Sequence, residues 1–214
     1  GADGRLYACA NRAPSKLIAY TMDGKAATLA EGMESCNDLA VSRDLNIYFT
    51  DPRGKKVWFV SNKGEKKPVV TEGVSFPNGV RFSPDHGLVV VADSDSKWVW
   101  SYQAMADGTL GNGQPFYRLE TRDEDSRSSA DGMTYDAEGF LYVTTSLGVQ
   151  ICDQTGRVNA ILNKPQASAL SNAVFGGPEL DTLYVTAGDK VFRRKLLRRG
   201  VRPWTQLKPP IPRL

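Results

Sequence analysis

The chain has one histidine in 214 residues, His86, and it falls in the turn-like stretch "SPDHG", which reads as exposed. No Ser-His-Asp or Cys-His couple can be assembled around it, which removes the common nucleophilic hydrolases from consideration. Cysteine is equally scarce. Cys9, Cys36 and Cys152 are odd in number, far apart and without CxxC spacing, so neither a disulfide framework nor a zinc knuckle is indicated. Cys36 has no basic partner in sequence and reads as an inert small side chain. No apolar run approaches the ~20 residues that a membrane-crossing helix needs. Charge of one sign is not in excess either, since 27 Lys and Arg stand against 24 Asp and Glu. A balance of +3 is no footprint for nucleic acid.

What remains is the composition of an ordinary folded chain, 41% hydrophobic and 24% charged, of a length suited to one domain with a real core. The basic residues gather in "RRKLLRRGVRPW", which reads as an edge strand guarded by charge rather than an anion site. The chain begins "GADGRLYACA" without Met, so compartment is left open between periplasm and cytoplasm.

A repeat dominates the pattern. "SCNDLAVSRDLNIYFTD", "PNGVRFSPDHGLVVVAD", "ADGMTYDAEGFLYVTT" and "SNAVFGGPELDTLYVTA" each open on Asn or Asp, continue with short apolar alternation, turn, and enter a second apolar run. The opening residues are Asn37, Asn78, Asp131 and Asn172. The first pair and the last pair are each 41 residues apart, and the middle interval of 53 holds the polar insertion "TRDEDSRSSA". Period-two alternation between turn signals argues for strands. A further Gly-turn hairpin follows the first three strand pairs, as in "KVWFVSNKGEKKPVV", giving four strands per period of about 40 residues. That is the layout of β-propeller blades.

At the ends the repeat is partial. "DGRLYACA" matches "EGFLYVTT" and so stands as a second strand, whereas "TLYVTAGDKVFRRKL" ends after a third. The expected fold is therefore all-β, an incomplete propeller of about six blades with four to five present, over residues 1–200. Residues 201–214 read as a proline-rich C-terminal tail. Trp58, Trp98 and Trp100 are expected to pack between blades, and Asp51 and Asp93, closing second strands, to serve turns.

With these motifs in order, the chain resembles the gluconolactonase, senescence marker protein and luciferin-regenerating enzyme family. The resemblance implies a six-bladed propeller holding one divalent cation in its channel, calcium most often, with zinc, magnesium or manganese in some members. It also implies hydrolysis of sugar-acid lactones or related esters, so the partner is a small molecule rather than nucleic acid or membrane, and oligomeric state stays open. By motif, Asn78 of "PNG" and Asp131 of "ADGM" correspond to metal ligands, Asp131 also to the general base, and Asn37 of "ND" to a substrate-binding residue. The family's remaining Glu ligand lies in an "EGP" motif that this sequence lacks, which implies a first blade outside these residues. Asn172 is read evenly as site residue or chain turn. Two functions remain open: a metal-dependent lactone or ester hydrolase, and a non-catalytic propeller that binds a ligand or partner. A strictosidine-synthase-like propeller ranks below both, for want of a channel Glu.

Overall fold

The structure is a computed structural model and describes residues 1–205. Every element in it is a β-strand, and the strands form five antiparallel sheets, the blades of a propeller. Blade 1 holds β1 (Leu6–Ala10), β2 (Lys16–Tyr20) and β3 (Ala26–Glu31). Blade 2 holds β4 (Leu39–Val41), β5 (Ile47–Asp51), β6 (Lys56–Val60) and β7 (Lys66–Val70). Blade 3 holds β8 (Pro77–Phe82), β9 (Leu88–Asp93), β10 (Trp98–Ala104) and β11 (Leu110–Arg118). Blade 4 holds β12 (Met133–Tyr135), β13 (Leu141–Thr144), β14 (Gly148–Cys152) and β15 (Val158–Asn163), and blade 5 holds β16 (Leu170–Gly176), β17 (Thr182–Ala187) and β18 (Lys190–Lys195). The expected four to five blades are thus five, three of four strands and two of three.

Burial explains the two kinds of strand. The second strand of each full blade is enclosed on both faces, so Ile47–Asp51 and Leu141–Thr144 are buried throughout and alternation disappears there. Outer strands such as β15 are mostly exposed. Four apolar clusters lie between consecutive blades: Leu17 and Phe49 between blades 1 and 2, Val57 and Val91 between 2 and 3, Val99 and Met133 between 3 and 4, Tyr142 and Leu183 between 4 and 5. Each fully buried aliphatic or aromatic side chain contributes about 1.5–3 kcal/mol, so the blades are held chiefly face to face. Trp58 and Trp100 pack against these clusters as expected, while Trp98 is half-buried outside them.

The innermost strands crowd round the axis. A Cβ on Gly79 would sit 2.3 Å from the Asp131 carbonyl oxygen, and one on Gly132 would sit 2.2 Å from Asn172 Oδ1. In blades 3 and 4 a glycine after the opening Asn78 or Asp131 is therefore a condition of that approach. Hydrogen bonds also join neighbouring blades there, from Thr50 Oγ1 to Asn78 O at 2.7 Å between blades 2 and 3 and from Gly132 N to Ser171 O at 2.9 Å between blades 4 and 5.

Two expectations are corrected. Cys9 and Cys36 form a disulfide, with Cα atoms 5.0 Å apart, joining β1 to the segment before β4. Blade packing brings together cysteines 27 residues apart in sequence, which spacing alone does not reveal. His86 is in a turn but half-buried, its ring stacked on Phe82 and its Nε2 2.7 Å from Pro203 O. The basic stretch behaves as foreseen: β18 is an edge strand with exposed Arg193 and Arg194, and Lys195 pairs with Asp181. Arg198 and Arg199 then dock on Glu138 and Glu179. Val201, Arg202, Pro203 and Trp204 of the expected tail line a cavity together with inner-strand residues such as Arg81 and Phe82, and 206–214 lie outside the described residues.

Candidate functional site

Asn37, Asn78 and Asp131 come together at one end of the axis, lining a single cavity of about 290 Å³. Each is placed by the start of an innermost strand. Asn37 donates its N–H to Thr50 O at 3.0 Å and Asp131 donates its own to Thr144 O at 2.9 Å, equivalent bonds in blades 2 and 4. Asn78 lies in β8, where the register shifts between Pro77 and Val80 and lets the strand start turn toward the cavity. The side chains then form a chain of amides: Asn37 Nδ2 donates to Asn78 Oδ1 at 2.5 Å, and Asn78 Nδ2 donates to Ser94 Oγ at 3.0 Å.

Asp131 carries the site's negative charge. Burial first and the nearby Asp38 carboxylate second push its carboxyl up to about 6, while the Gly132 N–H and the Asn78 amide pull it part of the way back. Asp38 is held by Arg81 at 3.1 Å and accepts the Val80 N–H at 3.0 Å. A buried carboxylate next to a second one is an environment that a cation would relieve.

The loops rimming the cavity are tied by the two aspartates assigned to turns. Asp51, 1% exposed, accepts from Ser35 N at 2.7 Å, Glu34 N at 3.1 Å, Gly54 N at 3.1 Å and Trp58 Nε1 at 3.2 Å. Burial would raise its carboxyl, yet those donors outweigh burial and hold it below the usual carboxylate range. Asp93 repeats the arrangement in blade 3, accepting from Ser75 N at 3.2 Å and Phe76 N at 2.9 Å. Asn172 is not brought into the cavity: its Oδ1 accepts the Ala173 N–H at 2.9 Å and fills the space over Gly132. Three lining residues carried no signal in the repeat, namely Asn11 after β1, Arg53 in the turn after β5, and Phe76.

A larger cavity of about 500 Å³ occupies the other end of the same strands. Its walls are apolar for the most part, with Leu39, Phe82, Tyr135 and Val174 among them. The Asp38–Arg81 pair stands between the two, Arg81 lining the large cavity and Asp38 acting on Asp131. No carboxylate or carboxamide side chain lines the larger space among the described residues, whereas the smaller one gathers Asn11, Asn37, Asn78 and Asp131, so the smaller one is the candidate site.

Residues 2–189 match the model of the family described as SMP-30/gluconolactonase/LRE-like region. The chain belongs to that family. It is 29% identical over 178 residues to the gluconolactonase of Zymomonas mobilis, covering 74% of this chain and 49% of that one. It therefore spans about half the length of that relative. Among solved structures, the Xanthomonas campestris gluconolactonase XC5397 superposes with a TM-score of 0.77 at 24% identity, covering 90% of this chain and 68% of the other. Regucalcin from Agrobacterium tumefaciens, described as a calcium-binding protein, gives 0.76 at 19%, covering 92% and 74%. At those identities the two structures speak for the fold alone.

Proposed function

We propose that this chain is the larger part of the propeller of a divalent-metal-dependent lactone or ester hydrolase of the gluconolactonase kind, completed by a further blade. The observation that carries this is the meeting of Asn37, Asn78 and Asp131, from three blades, in one polar cavity. The lactonases among the relatives agree with it. The unmatched faces of the end blades agree with a sixth blade, since Leu6 is 66% exposed and Val191 67%.

The donor set fits a hard cation in part. Asn78 Oδ1 has one lone pair turned to Asn37 and keeps a second, and Asp131 supplies a carboxylate. Calcium suits such oxygens best, with magnesium, manganese or zinc as other occupants. Asp131 is the one carboxylate lining the cavity among the described residues, so charge balance asks for another from the completing blade. A bound cation supplies Lewis-acid polarisation of an ester carbonyl.

The chain's own residues have these tasks. Asp131 takes a proton from water as the water oxygen bonds to the carbonyl carbon, and returns it to the ring oxygen as the C–O bond breaks, leaving a hydroxy acid. Asn37, fixed by its bond to Asn78, orients substrate hydroxyls. Residues 1–200 form the blades in this reading, and 201–214 the tail.

The test is calcium binding by calorimetry and lactone hydrolysis by the full-length protein, with Asp131→Ala as control. Binding and turnover, both lost in the variant, are expected; a full-length protein without either overturns the reading. The non-catalytic alternative draws on one observation, that no group of three His, Cys, Asp or Glu able to hold a metal exists among the described residues. Metal-stimulated turnover of any lactone would end that alternative.

A further inference from the structure

The candidate site contains a positive charge that the reaction above does not use. Arg53 lines the cavity and is the one cationic residue to do so among the described residues. We propose that Arg53 selects ligands bearing a carboxylate, making the preferred class polyhydroxy acids with a free acid group and lactones that retain one. The proposal rests on the small cavity being the ligand site, and it adds the substrate class.

Rigidity is the first argument. A surface arginine on a loose loop would give little selectivity, but the turn carrying Arg53 is fastened at several points. The Arg53 N–H donates to Ser35 Oγ at 3.0 Å, and the next N–H, of Gly54, donates to Asp51 Oδ1. Ser35 is itself gripped by Asp51 through its N–H and its hydroxyl. A Cβ at Gly54 would lie 2.6 Å from Asp51 Oδ2, so the turn closes onto that carboxylate with no slack. One buried anion thus fixes both the start of Arg53's side chain and the segment leading to Asn37.

Charge placement is the second. Arg53 is exposed and forms no ion pair among the described residues, whereas Arg81, Arg198 and Arg199 each hold a carboxylate. The guanidinium is therefore not consumed in neutralising the site's own acid. A planar fork of N–H donors at a cavity wall matches a carboxylate in a way that a hydroxyl does not.

The other walls describe the rest of the ligand. Asn11 and Asn37 offer amides to hydroxyl groups, and Phe76, 37% exposed although its N–H is held by Asp93, presents an apolar surface. A carboxylate, several hydroxyls and one C–H face together describe a sugar acid.

The experiment titrates the full-length protein by calorimetry with three six-carbon probes: an aldarate, an aldonate and the neutral alditol. Wild type, Arg53→Gln and Arg53→Lys are compared, with thermal melts confirming that each variant folds. Wild type should bind the aldarate at least ~10-fold more tightly than the alditol, a ratio in keeping with one charge-assisted bidentate contact. Arg53→Gln should erase that ratio while leaving alditol binding unchanged, and Arg53→Lys should recover part of it. No acid preference in wild type, or one that survives in Arg53→Gln, overturns the proposal. Hydrolysis is followed in parallel with a neutral lactone. Acid selectivity through Arg53 without turnover of any lactone would reject the hydrolase reading and keep this one, and turnover with no effect of Arg53 on selectivity would do the reverse.

Discussion

The two ends of the channel are built on the same strands and differ in nearly every property. At the strand starts Asn37, Asn78 and Asp131 enclose about 290 Å³ of polar space; a few residues onward Leu39, Phe82, Tyr135 and Val174 enclose about 500 Å³ of apolar space. The Asp38–Arg81 pair stands between them. A propeller's inner strands can therefore keep their packing from one end to the other while their first residues alone bring amides and a carboxylate together. Volume is a poor guide to which end matters. Convergence of polar atoms that are far apart in sequence is the better one.

The contrast is sharpest for Asp131. Asp131→Asn should lower lactone turnover by about 10³-fold in the full-length protein, within the usual range for loss of a general base. At the apolar end, Phe82→Ala should leave KM and kcat within about twofold and instead lower stability by roughly 3 kcal/mol, read from urea unfolding. If Phe82→Ala changed turnover as much as Asp131→Asn, the division of labour between the two ends would be wrong.

The disulfide provides the next test, because it belongs to the polar end alone. Cys9→Ser with Cys36→Ser should cost about 3 kcal/mol on a chain-entropy basis for a loop of this size. The loss should also raise KM, since Cys36 precedes Asn37. An unchanged melting temperature would show that the bond does not fasten blade 1.

The smallest effect is in pH dependence. Asp131 in the folded chain keeps its proton up to about pH 6, whereas in the unfolded chain it releases it at the ordinary carboxylate value. Its contribution to stability is therefore complete below about pH 4 and is lost as pH rises through about 6, by about 3 kcal/mol in all. With chelator present, Asp131→Asn should be the more stable protein at pH 7 and should lose that advantage at pH 4. Calcium should cancel the difference if Asp131 is one of its ligands.

Much of this was legible in the residues. The 41-residue spacing and the "PNG" and "ADG" openings give the blades and bring Asn78 and Asp131 together, because a strand start repeated at the blade interval must recur around the axis. Arg53 and Phe76 were not legible. Their positions depend on Asp51 and Asp93 reaching back across about 17 residues to hold backbone N–H groups, which leaves only an ordinary Asp at a strand end in the sequence. The Cys9–Cys36 pairing was hidden for a similar reason, since it depends on two blades being packed before the sulfurs can meet. His86 reads as a surface turn because nothing nearby in the chain announces that Phe82 and Pro203 will cover it.

The link between Cys9 and Cys36 also makes the polar end sensitive to where the protein is produced. Glutathione-buffered surroundings keep such a pair as two sulfhydryls and leave blade 1 attached by packing and hydrogen bonds, among them Cys36 N to Ser15 Oγ. Passage into an oxidising space welds that blade to its neighbour, one residue away from the first amide of the channel.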